Sequence, residues 1–388
     1  MALGGYILLF ALGKFLARFT RLWYLKEIWA GKFPQTNVKL HRKYGPIVRI
    51  APNEYSIDDP EAIKIIYGHG TAFTKGPWYY ASGSPHQANL FSDRDIKNHS
   101  AERRKFASLF SMSSLVTMEQ SVDVCVEFLK DRFTEMARFG ETFDLQWWMQ
   151  CFAFDTIGEI SVSKRFGFLD AGKDPLKITS RLDDFLVYAG RLGVYPETHP
   201  IFFKLVSMLG ANGFSHAAKF AADQVKAYEK NVEGETFLAK AIRIHQEQPH
   251  KISENGIFGI CLMNLREEVD TMYSSSIIKD TVTFADSQQM TYLQAVIKEA
   301  LRTHPATGLP LSRVVPRGGA TISGQFFPEG TIVGVNSWVA HYNKHVFGDD
   351  ADKFNPERWL VSKEAEQSLD RYWMPASTLI YLYNLSRS

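Results

Sequence analysis

The hydrophobic positions follow two kinds of repeat. In residues 45–57, "GPIVRIAPNEYSI", β-branched residues flank a Pro-Asn break, which predicts two short strands joined by a turn. Over residues 102–136 the period lengthens. Leu115, Met118, Val122, Val126, Leu129, Phe133 and Met136 recur at three- and four-residue steps, which predicts helix. Residues 147–160 and 215–231 read as further helices. A clearer one begins at Thr291, which forms a capping-box pattern with Gln294. Leu293, Val296, Ile297, Ala300 and Leu301 make its apolar stripe, and Pro305 stops it. Residues 313–316 and 320–336 predict strands, the second stretch folded into a hairpin at "PEG", 328–330. The sum is a mainly α chain with small β-sheets, no internal repeat and no evident domain linker.

The N-terminus adds one membrane clue. "MALGGYILLFALG" is uncharged, and Lys14, Arg18, Arg21 and Lys26 follow it. The run is shorter than the roughly 20 apolar residues of a bilayer span. A secretory signal would carry its basic residues before the apolar stretch, not after it. Residues 1–28 therefore form either an apolar helix packed on the domain or a partial anchor making membrane contact. In the second case the trailing basic residues keep the main domain on the cytoplasmic side.

Composition narrows the function classes. The chain has 388 residues, 45% of them hydrophobic, enough for a large core. A formal charge of +2 without a dense Lys/Arg block argues against nucleic-acid binding. The three cysteines, Cys125, Cys151 and Cys261, are odd in number and far apart, which fits a reducing, intracellular setting. In "HYNKH", His341 and His345 stand four apart, but Tyr342 occupies the place where a zincin needs Glu. The two histidines are expected at the surface or as caps. No G-x-S-x-G elbow, P-loop or G-x-G-x-x-G occurs, and Gly318-Gly319 reads as a turn.

The stronger signal is on the helix at Thr291. Glu299 and Arg302 lie three apart and share a face. "LRTHPATGLPLSRVVP" follows, and then "FNPERWL", with Glu357 and Arg358 after Pro356. In this order the motifs resemble the K-helix and meander of the cytochrome P450 monooxygenases. The resemblance implies a P450-like fold in which Glu299, Arg302 and Arg358 form a buried ion-pair network. A buried guanidinium needs bidentate carboxylate partners, and lysine is no equal substitute. "KYGPIVRIAPNEYSI" resembles the first sheet of the family, and "NHSAERRKFASLFS" its C-helix. By that resemblance His99 and Arg103, one turn apart, contact one haem propionate, and Arg313 in "PLSRVV" approaches the other. Read without the family, they are a basic helix start and a strand-end arginine. The wording of "NEYSIDDPEAIKIIYG" and "VIKEALRTHPATGLPL" is most similar to fungal P450s related to pisatin demethylase. The resemblance covers about residues 29–375. It implies a haem cofactor, NADPH-P450 reductase as electron donor, a small apolar substrate of secondary metabolism, and an endoplasmic reticulum location facing the cytoplasm. Without the anchor, the location would be cytoplasmic. Residues 73–90, "FTKGPWYYASGSPHQANL", resemble the pocket-side B–C region, although their aromatics serve equally as packing.

Two pieces of the family pattern are missing. The match passes "YWMP" and breaks at Ala376; no cysteine follows, so no axial haem ligand is expected from residues 376–388, a stretch foreign to the family. The thiolate of that ligand pushes electron density to the iron and favours O–O cleavage. The other cysteines lack a Gly/Arg loop and read as small core hydrophobes. "KISENGIFGICLMN" resembles the approach to the oxygen-pocket helix and "LREEVDTM" a segment well beyond it, yet Asn264 directly precedes Leu265. A few tens of residues are expected to be absent there, which would strip apolar cover from neighbouring elements. The organisation expected is therefore a segment 1–28, an incomplete P450 domain 29–375 deleted at 264/265, and a tail 376–388. The parent activity is oxidation of a small organic molecule with dioxygen, with this chain catalytically impaired. The alternative is a non-catalytic binding protein or a decayed fragment.

Overall fold

The computed structural model describes residues 17–86, 88–106, 116–209 and 291–374, with isolated positions at 111, 114, 219, 222 and 223. The elements are mostly helices with small sheets. They form two compact units. Of the described stretches, residues 17–96, 187–202 and 291–374 belong to the first; residues 97–186 and 203–209 belong to the second.

The first unit is built on a five-stranded sheet. β1 (Ile47–Ala51) and β2 (Glu54–Ile57) are antiparallel around the expected turn, where Asn53 takes a left-handed φ of 57°. Asn tolerates that region better than most side chains. The sheet order is β1-β2-β7-β4-β3, with β3 Thr74–Lys75, β4 Arg313–Val314 and β7 Ile332–Val335. β7 runs parallel to β2 and antiparallel to β4. The stretch read as a single hairpin at 328–330 divides differently. β5 (Ala320–Ile322) and β6 (Gln325–Phe327) form their own hairpin at Ser323-Gly324, and β7 leaves for the main sheet. Ser323 and Gly324 both have positive φ, the conformation of a tight two-residue turn. Gly318-Gly319 is a turn, as expected. A side chain at Gly319 (φ 78°) would strike the Phe326 ring at 2.3 Å.

Helices α1 (Leu22–Trp29) and α2 (Phe33–Tyr44) precede the sheet, and α3 (Pro60–Tyr67) follows β2, capped by Asp59 accepting from the Glu61 N–H. His41 of α2 lies against Ser56 of β2, its Nε2 2.8 Å from the hydroxyl and its Nδ1 3.0 Å from the Gly45 carbonyl. Ile57, Ile66, Val315, Phe327, Val333 and Val335 form the sheet core.

The second unit centres on α6 (Leu145–Val162), which is buried on nearly every face. Among the described residues, the apolar period over 102–136 is carried by helices α4 (Ile96–Phe106) and α5 (Glu119–Phe139). Met118, counted in the helical stripe, stands at the N-cap of α5. Asp155 inside α6 accepts from the backbone N–H groups of Gly167, Phe168 and Leu169 and so organises the short helix α7 (Phe168–Ala171). Cys125, Cys151, Phe154, Ile157 and Phe168 pack in its core. The remaining elements are α8 (Ile178–Leu192) and α9 (His199–Met208). The helix expected over 215–231 and the 264/265 junction lie outside the described residues, apart from isolated positions in the former. No helix among the described residues is long and apolar enough to cross a membrane.

Candidate functional site

The helix expected at Thr291 is α10 (Thr291–Thr303). Its spacing puts Glu299 and Arg302 on one face, and both side chains are fully buried. A buried ion pair needs every donor and lone pair occupied to offset desolvation. Arg302 meets that condition. Nε and Nη2 donate to the two oxygens of Glu299, each at 2.8 Å. Nη1 donates to the carbonyls of His341 (2.7 Å) and Ala351 (2.8 Å), and Nη2 also to that of Lys353 (2.9 Å). The five N–H bonds of a guanidinium are thereby all used.

The third member arrives from the 3₁₀ turn Pro356–Trp359. Arg358 Nε donates to Glu299 Oε1 at 3.2 Å. Its Nη groups pair with Asp350 at 3.0 and 3.1 Å and donate to the carbonyls of Phe347 and Asp350. Glu299 also accepts from the Asn355 backbone N–H (2.8 Å) and from Trp359 Nε1 (3.0 Å). Burial alone would raise its carboxyl pKa; the bonds from Arg302 and Asn355 outweigh burial and hold it below the usual carboxylate value. Two guanidinium groups thus face two carboxylates, and the cluster is neutral overall. Asp350, Asn355 and Trp359 were not singled out from the sequence. The acidic run "GDDAD" just before "FNPERW" was the available signal.

His341 was expected at the surface or as a cap. It is fully buried, and the helical stretch breaks at Tyr342-Asn343 into α11 (Ser337–His341) and α12 (Lys344–Phe347). His345 then starts a separate helix and is exposed, with its N–H capped by the Asn343 side chain. His341 Nδ1 contacts the Arg302 carbonyl (3.0 Å), and its Nε2 accepts from the Met374 backbone N–H (2.6 Å). Burial pushes its pKa down to about 3.

The cations assigned to haem propionates fall in separate units. His99 and Arg103 stand one turn apart on α4, both half-buried. Arg313, on β4, lies between the Tyr67 and Tyr79 rings at 5.1 and 5.5 Å and donates to the Tyr79 hydroxyl (3.1 Å). The aromatics of residues 73–90 pack largely on one another and on their neighbours. Trp78 meets Tyr79, Tyr79 meets Phe91, and Tyr80 meets His199. His199 is buried, with its Nε2 3.1 Å from the Gly83 carbonyl and its Nδ1 2.9 Å from the Tyr188 hydroxyl.

The described residues offer cations suited to carboxylates but no thiolate for an iron. Cys125 and Cys151 are buried, and burial pushes both thiols up to about 12, so they stay protonated near neutral pH. Cys261 and residues 375–388 lie outside the described residues. No group of three or more His, Cys, Asp or Glu among the described residues could hold a metal ion.

Comparison with known proteins gives a consistent picture. A family model described as Cytochrome P450 matches residues 15–233 and 262–378. A pisatin demethylase of Fusarium vanettenii is 37% identical over 393 residues, spanning 90% of this chain and 76% of that protein. A second pisatin demethylase of the same organism is 36% identical, spanning 91% and 75%. A cytochrome P450 monooxygenase of Aspergillus terreus is 32% identical over 396 residues, spanning 90% and 80%. The first alignment runs over 393 positions yet takes in 90% of this 388-residue chain, so about 40 of its positions face no residue here.

Proposed function

The chain belongs to the cytochrome P450 family, and from that membership we propose a haem monooxygenase lineage in which this particular sequence no longer completes the oxidation site. The family makes the parent protein an oxidoreductase acting on a small organic molecule, with electrons from a reductase. The observation that carries the lineage reading is the Glu299–Arg302–Arg358 cluster. All five Arg302 donors are used on a carboxylate and three carbonyls. A solvated surface pair would not gather such a set.

Impairment rests on the sequence itself. Within the 388 residues no cysteine follows Cys261, and residues 376–388, where the resemblance breaks off, therefore supply no thiolate. The direct Asn264–Leu265 joint, where the resemblance passes from the approach to the oxygen-pocket helix to a segment well beyond it, is the second support for the proposed impairment. The cations suited to haem propionates are His99, Arg103 and Arg313. Haem, when bound in this family, supplies the oxygen chemistry. The location that follows from the lineage is the cytoplasmic face of the endoplasmic reticulum, with residues 1–28 touching the membrane.

The direct test is spectroscopic. The chain is expressed with added haem, reduced and exposed to carbon monoxide. The expected result is no thiolate-type absorbance band; a band like that of an active P450 overturns the impairment. Sequencing the transcript across the 264/265 joint and beyond residue 375 separates a decayed gene from a misread one. The second reading is a non-catalytic binding protein, which the protonated, buried Cys125 and Cys151 allow in so far as they supply no substitute thiolate. It calls for a compact protease-resistant core, and rapid complete digestion would eliminate it.

A further inference from the structure

We infer that His341 is a positioning residue: its imidazole ties the main chain at Met374 to the last turn of α10 and fixes where the polypeptide leaves the buried ion-pair cluster. The inference rests on the lineage reading in one respect. By family resemblance, the segment after Met374 leads toward the haem-ligand loop. The geometry itself is a property of this chain.

The two contacts of the ring decide its state. A backbone N–H only donates, so the Nε2 facing Met374 at 2.6 Å carries the lone pair. A carbonyl only accepts, so the Nδ1 facing the Arg302 carbonyl at 3.0 Å carries the proton. One neutral tautomer satisfies both, and the ring is fully buried, so water replaces neither partner. Arg302 returns the link by donating Nη1 to the His341 carbonyl at 2.7 Å. The two residues therefore hold each other through a closed ring of bonds.

The neighbouring residue is anchored the same way. Trp373 Nε1 donates to the Lys298 carbonyl at 3.2 Å, one helical turn before Arg302. Its ring meets Trp359 edge-on, with Lys298 Nζ 5.8 Å from its centre. The Met374 side chain is buried in the sheet core with Val335 and Ala340. Two consecutive residues are thus pinned to two consecutive turns of α10, and one of those pins runs through His341. Burial keeps the ring neutral, and the Arg302 charge beside it acts in the same direction. A surface histidine would have no reason to hold one tautomer.

The test uses the full chain and two variants that separate the bonds. His341→Asn can keep a donor near the Nδ1 position but has no atom at Nε2. His341→Gln places an oxygen near Nε2. Amide hydrogen exchange at Met374 is the readout. Protection is expected in the unsubstituted chain. In His341→Asn, exchange at Met374 should be faster by about tenfold or more while the β1–β2 amides keep their rates. His341→Gln should restore most of the protection. An unprotected Met374 in the unsubstituted chain, or equal exchange in the two variants, overturns the inference. If neither variant folds, ¹⁵N spectra of the histidine-labelled parent decide. The Nδ1–H tautomer is expected, and an Nε2–H tautomer or a charged ring at pH 6 refutes it. Haem titration of the same samples separates this result from the lineage reading, because failure to take up haem leaves the Met374 exchange unmoved.

Discussion

At the scale of the residue, Glu299 decides the site. It is the carboxylate that both Arg302 and Arg358 use, and neither guanidinium can move to water without opening the core. Glu299→Ala should therefore destabilise the protein by about 3–5 kcal/mol, the cost of stranding a buried charge. Urea denaturation of the purified chain measures it, and a loss below about 1 kcal/mol would show the pair to be dispensable. Much of this cluster was legible in the sequence. The three-residue spacing of Glu299 and Arg302 gives them a shared helix face by helical pitch, and the resemblance of the later "PERW" to the P450 meander brings in Arg358. Asp350 was not legible. It reaches Arg358 across a loop whose path no periodicity records.

At the scale of the element, buried histidines link helices to the sheet and to the chain that follows it. His41 joins α2 to β2 through Ser56, and burial lowers its pKa to about 4. The unfolded chain takes up this proton below its ordinary value of 6.5, whereas the folded chain resists until about 4. The stabilisation is complete above pH 6.5 and is lost as pH falls toward 4, by up to about 3 kcal/mol. Glu54 and Asp58, whose carboxyl pKa values burial raises to about 7 and about 6, act in the opposite sense. Comparison with His41→Gln isolates the histidine. Between pH 6.5 and 4, the variant should lose less stability than the parent, and parallel curves would refute the assignment. The strands at 45–57 were plain from β-branched residues and a Pro-Asn turn. The break at Tyr342-Asn343 was not, since Asn343 serves as a cap for the Lys344–Phe347 helix only once that helix turns away.

At the scale of the whole molecule, each of the two units has its own apolar core, and the buried cysteines belong to the second. Cys125 and Cys151 should react with a thiol reagent only after denaturant is added, as followed by mass spectrometry of the labelled peptides. Rapid labelling of either in the native chain would reopen it as a source of thiolate. The sequence by itself determined the helix from Thr291, the first two strands and, through the family resemblance of its motifs, the membership of Glu299, Arg302 and Arg358 in the ion-pair cluster. The helix and strands rest on spacings of two, three and four residues, which local geometry converts directly into faces and turns; the cluster rests on the resemblance of the motifs, in their order, to the P450 family. Only the tertiary structure decided that Arg302 is completed by the carbonyls of His341, Ala351 and Lys353, and that His341 is buried against Met374. The physical reason is that main-chain carbonyls and N–H groups are chemically the same at nearly every residue. No sequence pattern marks which of them will face a buried guanidinium or imidazole until the chain has packed around it.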